Sequence, residues 1–163
     1  MSSDFNKDAL FRSAKRINVS YFKEQQEDAI NAIWQWWQSQ SISFTLSGYA
    51  GTGKTFIMRH LVRYLIVEKV CVTAPTHKAL RVLENSSGRK GMTIQSLCGL
   101  RPDVDIEDYN IENPSFKVIG EQKMRGYRLV IIDECSMINP GLFNLLIKTA
   151  IQCQCKLLFL GEM

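Results

Sequence analysis

Two kinds of apolar pattern alternate along this chain. Between residues 23 and 39, Gln26, Ala29, Ile30, Ile33 and Trp37 fall along one stripe, the 3.6-residue period of an amphipathic helix. Residues 4–16 repeat the pattern on a smaller scale, with Phe5, Ala9, Leu10 and Ala14 inward and Asp4 placed as a cap. Residues 18–20 connect the two. Short unbroken apolar runs then appear at 42–47, 69–74, 128–132 and 156–160. Such runs predict strands buried on both faces. Helical patterns separate them: 54–67, with Ile57, Leu61, Tyr64 and Leu65 on one face; His77 to Glu84; and Pro140 to Ile151, where proline suits a first turn. Strands alternating with helices predict an α/β fold, a parallel sheet covered on both faces. Ligands of such sheets gather at the carboxyl ends of the strands.

Residues 99–118 break the rhythm with two prolines, five acids, Tyr109 and Phe116. They predict an inserted loop or small β-hairpin. The expected organisation is an N-terminal helical extension over 1–20 and one domain over 21–163 carrying that insertion. With 163 residues, 45% of them apolar and 22% charged, the chain suits a globular domain. The charged N-terminus is unlike a signal peptide, and no apolar run reaches membrane-spanning length. These features point to the cytoplasm and to no membrane contact. The five cysteines contain no Cys-x-x-Cys pair, so they read as reduced and mostly buried. The three tryptophans at 34, 36 and 37 read as packing. Net charge is +4, but residues 54–90 hold eight Lys or Arg against Glu68 and Glu84. That middle suits a polyanion, and solvated helix faces account for it equally.

The strongest chemical signal is Gly48-Tyr49-Ala50-Gly51-Thr52-Gly53-Lys54-Thr55, between a strand and a helix. Glycines let backbone N–H groups close around a phosphate, and the helix start adds its positive end. Lys54 is expected on the β- and γ-phosphates and the Thr55 hydroxyl on Mg²⁺. Gly48, Ala50, Gly51, Thr52, Gly53 and the following Phe56 complete the expected nucleotide contacts. An apolar strand ending in Asp133-Glu134 supplies the second half: Asp133 for the metal, Glu134 as general base toward water. The glycine turn and the acidic pair are expected to meet across neighbouring strand ends. Gln26 precedes the loop on a helix, and its amide can donate to and accept from an adenine edge. Gln25 beside it leaves that assignment open. Pro75, Thr76, His77 and Lys78 follow the second strand and suit a phosphate of single-stranded nucleic acid. Ordinary helix capping explains the same residues.

Together these motifs resemble superfamily 1 DNA helicases, in their RecD-like, Dda-type branch. The resemblance rests on Gln26, the loop at 48–55, Thr-Ala-Pro-Thr-His-Lys-Ala at 73–79 and Thr93-Ile94-Gln95-Ser96-Leu97. Val-Ile-Ile-Asp-Glu-Cys-Ser-Met at 130–137 and Leu-Phe-Leu-Gly-Glu at 158–162 complete it. It spans residues 21–163 and implies a RecA-like motor domain that binds ATP and Mg²⁺. It implies that Gln26 reads adenine and that Pro75, Thr76, His77, Thr93 and Ser96 line a single-stranded DNA track. Residues 99–118 would form a strand-separating pin, with Phe116 or Tyr109 as its wedge. A second RecA-like domain would supply arginines and half the track, and movement would run 5′ to 3′. The sequence departs from the pattern at Gln95, where relatives carry His, and at Glu162, where they carry Asp. The chain stops just after that strand, which suggests a larger protein. Two other readings stay open: a phosphate-loop phosphotransferase, and a nucleotide-gated adaptor without turnover.

Overall fold

The first described helix, α1 (Glu24–Gln38), carries Glu24 and Glu27 in its opening turn, where carboxylates oppose the helix dipole favourably. Its buried side is Ile30, Ile33, Trp36 and Trp37. Trp36 packs on Phe44 at 5.7 Å between ring centroids and edge-on against Trp37 at 6.3 Å. Trp36 and Trp37 are therefore core, and Trp34 is partly buried against it. The computed structural model describes residues 24–49, 51–64, 69–102, 116–118 and 120–162. The helix expected over 4–16, Ala50, Leu65, and the interior of 99–118 with Tyr109 lie outside the described residues.

The elements that follow are β1 (Ser43–Ser47), α2 (Lys54–Tyr64), β2 (Val70–Ala74), α3 (His77–Ser87), β3 (Met92–Thr93) and α4 (Ile94–Cys98). Next come β4 (Leu100–Pro102), β5 (Phe116–Val118), β6 (Leu129–Ile132), α5 (Pro140–Cys153) and β7 (Lys156–Gly161). Five strands form one parallel sheet in the order β1-β7-β6-β2-β3. The pair β4–β5 is antiparallel, with Leu100 opposite Val118 and Pro102 opposite Phe116. This is the expected α/β sheet with a small hairpin.

One expectation is corrected. The strand before the glycine turn and the strand before Asp133 are not neighbours, because β7 lies between them. The physical reason is visible in their side chains. Leu157, Leu158, Phe159 and Leu160 of β7 are all buried, which suits a central strand, whereas Thr45 and Ser47 leave β1 partly exposed at the edge. Two further differences are local. α3 runs on to Ser87, where Gly88 at φ 69° closes it. Residues 94–98, read only as a motif, form a short helix capped by Thr93.

Each face of the sheet has its own core. Ile30 and Ile33 of α1 and Ile57, Met58, Leu61 and Val62 of α2 cover Val72, Ile131, Leu158 and Leu160. Ile94 and Leu97 of α4 and Leu142, Leu146 and Ala150 of α5 cover Cys71, Val130, Ile132 and Phe159 on the other face. At the amino rim of the sheet, Lys156 Nζ donates to the carbonyls of Trp36, Ser39 and Ser41 at 3.1, 2.8 and 2.7 Å. It also lies 5.0 Å from the Trp36 ring. This lysine fastens the end of α1 to β7 and so fixes where α1 begins, at the opposite rim.

Candidate nucleotide and nucleic-acid site

The carboxyl rim carries the chemistry. After β1 the chain turns through Gly51 at φ 79° and Gly53 at φ 91°, conformations that side chains rarely adopt. Thr52 closes the turn, its N–H and hydroxyl both donating to the Tyr49 carbonyl, at 3.3 and 2.8 Å. α2 starts at once, with the Ile57 N–H donating to the Gly53 carbonyl at 3.0 Å. Lys54 Nζ folds over the loop and donates to the carbonyls of Gly48 and, at 2.9 Å, Tyr49.

Gln26 reaches the same loop. Its Nε2 donates to the Thr52 carbonyl at 3.1 Å. A Cβ on Gly53 would stand 2.1 Å from that nitrogen, so only glycine leaves room for the amide. Gln25, by contrast, is exposed. Phe56 follows in α2, with its ring 4.2 Å from that of His60.

Two strands away, β6 ends at Asp133, whose N–H donates to the Thr73 carbonyl at 3.0 Å. Asp133 Oδ1 accepts the Glu134 N–H at 2.9 Å, which fixes the carboxylate. Glu134 itself sits at φ 52°, ψ 42°, a left-handed conformation that is costly for a residue with a Cβ. Between these strand ends, the Gly161 carbonyl of β7 accepts the Gly48 N–H at 3.3 Å. A Cβ on Gly161 would collide with Cys135 Sγ at 2.4 Å. The end of β7 thus touches the start of the phosphate loop on one side and the turn after Asp133 on the other.

An open cavity of about 650 Å³ results, lined among others by Gly51, Gly53, Lys54, Thr55, Asp133 and Glu134. The two halves expected from the sequence therefore face one space. The Cys135 thiol at its edge is pushed up chiefly by burial, with Asp133 raising it further and Lys54 opposing. Val82, Ser136, Met137, Gly161 and Glu162 also line the cavity. Sequence reasoning assigned no role to Val82, Ser136 or Met137. The available signal is exposure against type: Val82 is 63% and Met137 59% exposed, although both are large and apolar.

The second group of expected residues clusters beside this cavity. Thr76 is the N-cap of α3, its hydroxyl accepting from the Ala79 N–H at 3.2 Å, and His77 is exposed next to it. Ala74 pairs with Thr93 in the sheet, so Pro75 and Thr76 lie beside the start of α4. Thr93 is only 9% exposed, and its hydroxyl accepts from the Ser96 N–H at 3.3 Å. Thr76 and Thr93 are therefore caps in this structure, and Ser96 is half-buried. Phe116 lies in β5, opposite Pro102 in the separate two-stranded sheet.

The AAA domain family matches residues 21–163. The chain is 31% identical over 142 residues to the ATP-dependent DNA helicase dda of Enterobacteria phage T4, covering 85% of this chain and 31% of that protein. It is 27% identical over 100 residues to the ATP-dependent DNA helicase Pif1 of a Psychrobacter strain, covering 61% of this chain and 15% of that one. In fold it superposes on a Bacteroides Pif1 crystallised with ADP-AlF4, with a TM-score of 0.57 and 22% identity, over 86% of this chain and 32% of that chain. The chain thus spans about a third or less of each of these three relatives. The family match over residues 21–163 shows that the chain belongs to the AAA domain family, and within it the chain is similar to the DNA helicases of the Dda and Pif1 type.

Proposed function

We propose that this chain is the ATP-binding motor domain of a 5′-to-3′ DNA helicase, which hydrolyses ATP to move along single-stranded DNA. The observation that carries the reading is the convergence of Lys54, Thr55, Asp133 and Glu134 on one cavity. The residues present fit Mg²⁺ and a nucleotide triphosphate. Gly51 and Gly53, both at positive φ, keep those two loop positions free of Cβ atoms, and Asp133 and the Thr55 hydroxyl are hard oxygen donors of the kind magnesium takes. The bound Mg-nucleotide would supply the scissile phosphoanhydride and neutralise charge as it breaks. Lys54 would exchange its bonds to the Gly48 and Tyr49 carbonyls for phosphate oxygens. Glu134, exposed at the rim, would accept the proton of an attacking water. Gln26, held against the loop, would read the base. Pro75, Thr76, His77, Thr93 and Ser96 would form one side of the DNA track, through backbone and helix-end groups where the threonine hydroxyls are engaged as caps.

Charge argues for a second domain. Asp133, Glu134 and Glu162 line the cavity against Lys54, the one cation among its described lining residues. A tetra-anionic nucleotide therefore needs Mg²⁺ and further cations from elsewhere. Arginines supplied by a partner domain typically contribute about 10³ to 10⁵ in rate in related phosphate-loop enzymes. The isolated chain should accordingly bind Mg-ATP weakly and hydrolyse it barely. In the intact protein, Glu134→Gln should retain nucleotide binding and lose DNA-stimulated ATPase. Retention of helicase activity by that variant would overturn hydrolysis as the purpose of the site and favour a nucleotide-gated adaptor. Transfer of phosphate to a small acceptor in a coupled assay would favour a phosphotransferase.

A further inference from the structure

β7 is fastened at both ends, and the fastenings lie at opposite rims of the sheet. At the carboxyl rim the Gly161 carbonyl accepts the Gly48 N–H, which joins β7 to the phosphate loop. At the amino rim Lys156 reaches across to the chain between α1 and β1. Its ammonium meets the carbonyls of Trp36, in the last turn of α1, and of Ser39 and Ser41, in the connector 39–42. That connector is the pivot on which α1 leaves the sheet. The last turn of α1 holds no basic residue of its own. Carbonyls at a helix end carry partial negative charge and need donors. Lys156 supplies them from another strand, three bonds from one charge.

The core side of α1 is held by apolar packing. Ile30, Ile33, Trp36 and Trp37 are buried, and the indole N–H groups of both tryptophans are buried without an acceptor among the described residues. All four lie at or after position 30. Ahead of them, Glu24, Gln25, Glu27 and Asp28 are exposed, with Gln26 and Ala29 half-buried. The opening turns of α1 therefore project from the core toward the phosphate loop, where Gln26 Nε2 meets the Thr52 carbonyl at 3.1 Å. From Trp36 back to Gln26 the helix is about 15 Å long. A tilt of about 4° at the pivot would carry the Gln26 amide about 1 Å, enough to break a bond of that length. Apolar contacts are non-directional and tolerate such a tilt. Three hydrogen bonds to one ammonium resist it.

We propose that Lys156 is a positioning residue for base recognition: by locking the α1–β1 connector from the far rim, it holds Gln26 where the amide can tell adenine from other bases. Lys156 is not among the described residues lining the nucleotide cavity, so it acts through α1 alone. The inference rests on the reading of Gln26 as the base contact and adds the residue that sets the geometry of that contact. The test uses the intact protein with Mg²⁺ and the β,γ-imido analogues of ATP and GTP, their binding measured by isothermal titration calorimetry. Lys156→Met should weaken binding of the ATP analogue about five- to tenfold, the range of one lost hydrogen bond, and leave the GTP analogue within about twofold. Gln26→Ala should show the same loss, and the double variant no further loss, because both changes remove one contact. Lys156→Arg keeps the charge and several donors and should restore the adenine preference. Leu146→Ala opens a cavity on the opposite face of the sheet; it should lower the melting temperature and keep the preference. If Lys156→Met does not fold, Lys156→Gln, neutral and shorter, carries the same expectation. Full adenine preference in the folded Met or Gln variant, or an equal loss in Leu146→Ala, would overturn the proposal. Equal binding of both analogues by the wild-type protein, or an unchanged preference in Gln26→Ala, would instead overturn the reading of Gln26 beneath it.

Discussion

At the scale of single residues, two side chains sit where glycine would be easier. Glu134 at φ 52° and Gln154 at φ 53° both occupy the left-handed region. Gln154 merely closes α5, its N–H bonding back to Ala150 and Ile151. Glu134 stands at the cavity. Relief of the strain should raise stability by about 0.5–1 kcal/mol at either position. Gln154→Gly should therefore melt higher with ATPase of the intact protein unchanged, while Glu134→Gly should melt higher and lose hydrolysis. Calorimetry alongside a phosphate-release assay checks both. If Glu134→Gly melts lower, its backbone conformation is not strained. The thiols make a second residue-level prediction. Burial pushes Cys71 and Cys98 up to about 11 and Cys155 up to about 12. At pH 8 these three should resist alkylation until the protein unfolds, while half-buried Cys153 reacts in the native state. Mass spectrometry after brief iodoacetamide treatment reads the order.

At the scale of elements, β7 couples the two halves of the site. Gly161→Ala would push a methyl into Cys135 Sγ and should cost roughly 1–3 kcal/mol. Cys135→Ala removes the obstructing sulfur, so the double variant should recover most of that loss, a coupling that denaturant melts in a four-way cycle would measure. Lys156→Met should cost about 1.5–3 kcal/mol, because three carbonyls lose a charged donor. The elements also show what the sequence could say. The glycine turn and Asp133-Glu134 are short-range signals, each written in consecutive residues, and both were legible. Strand order is not written locally. That β7 separates β1 from β6 follows from which strand has apolar side chains for both faces, a comparison among strands. The helix 94–98 is short and holds Gln95 and Ser96, too little pattern for a 3.6-residue period to emerge. Thr76 and Thr93 illustrate a different limit. Their spacing fits a DNA contact and a helix cap equally, and the structure shows the cap.

At the scale of the whole molecule, the buried thiols tie stability to alkaline pH. Their folded values lie above the ordinary value of 9.0, so the native state keeps protons that the unfolded chain releases. Stability is then fully present below about pH 9 and declines as pH rises toward 11–12, by up to about 1.4 kcal/mol per pH unit for each thiol. Tyr127, raised by burial and by Cys71, acts in the same sense. Lys156, lowered by burial, acts in the opposite one. Urea melts at pH 8, 9 and 10 should show the midpoint falling with pH, more steeply between 9 and 10 than between 8 and 9. A midpoint that is flat to pH 10 would mean that the thiols are solvated in the native state.

The interposed strand has a last consequence. With β7 between them, the strands that deliver Lys54 and Asp133 stand two inter-strand spacings apart, roughly 9.5 Å. The ammonium is engaged by carbonyls of its own loop, and one carboxylate oxygen by the next amide. The sheet thereby acts as a spacer that keeps opposite charges from collapsing onto each other, so that a guest ion does not have to break a tight internal pair before it can enter.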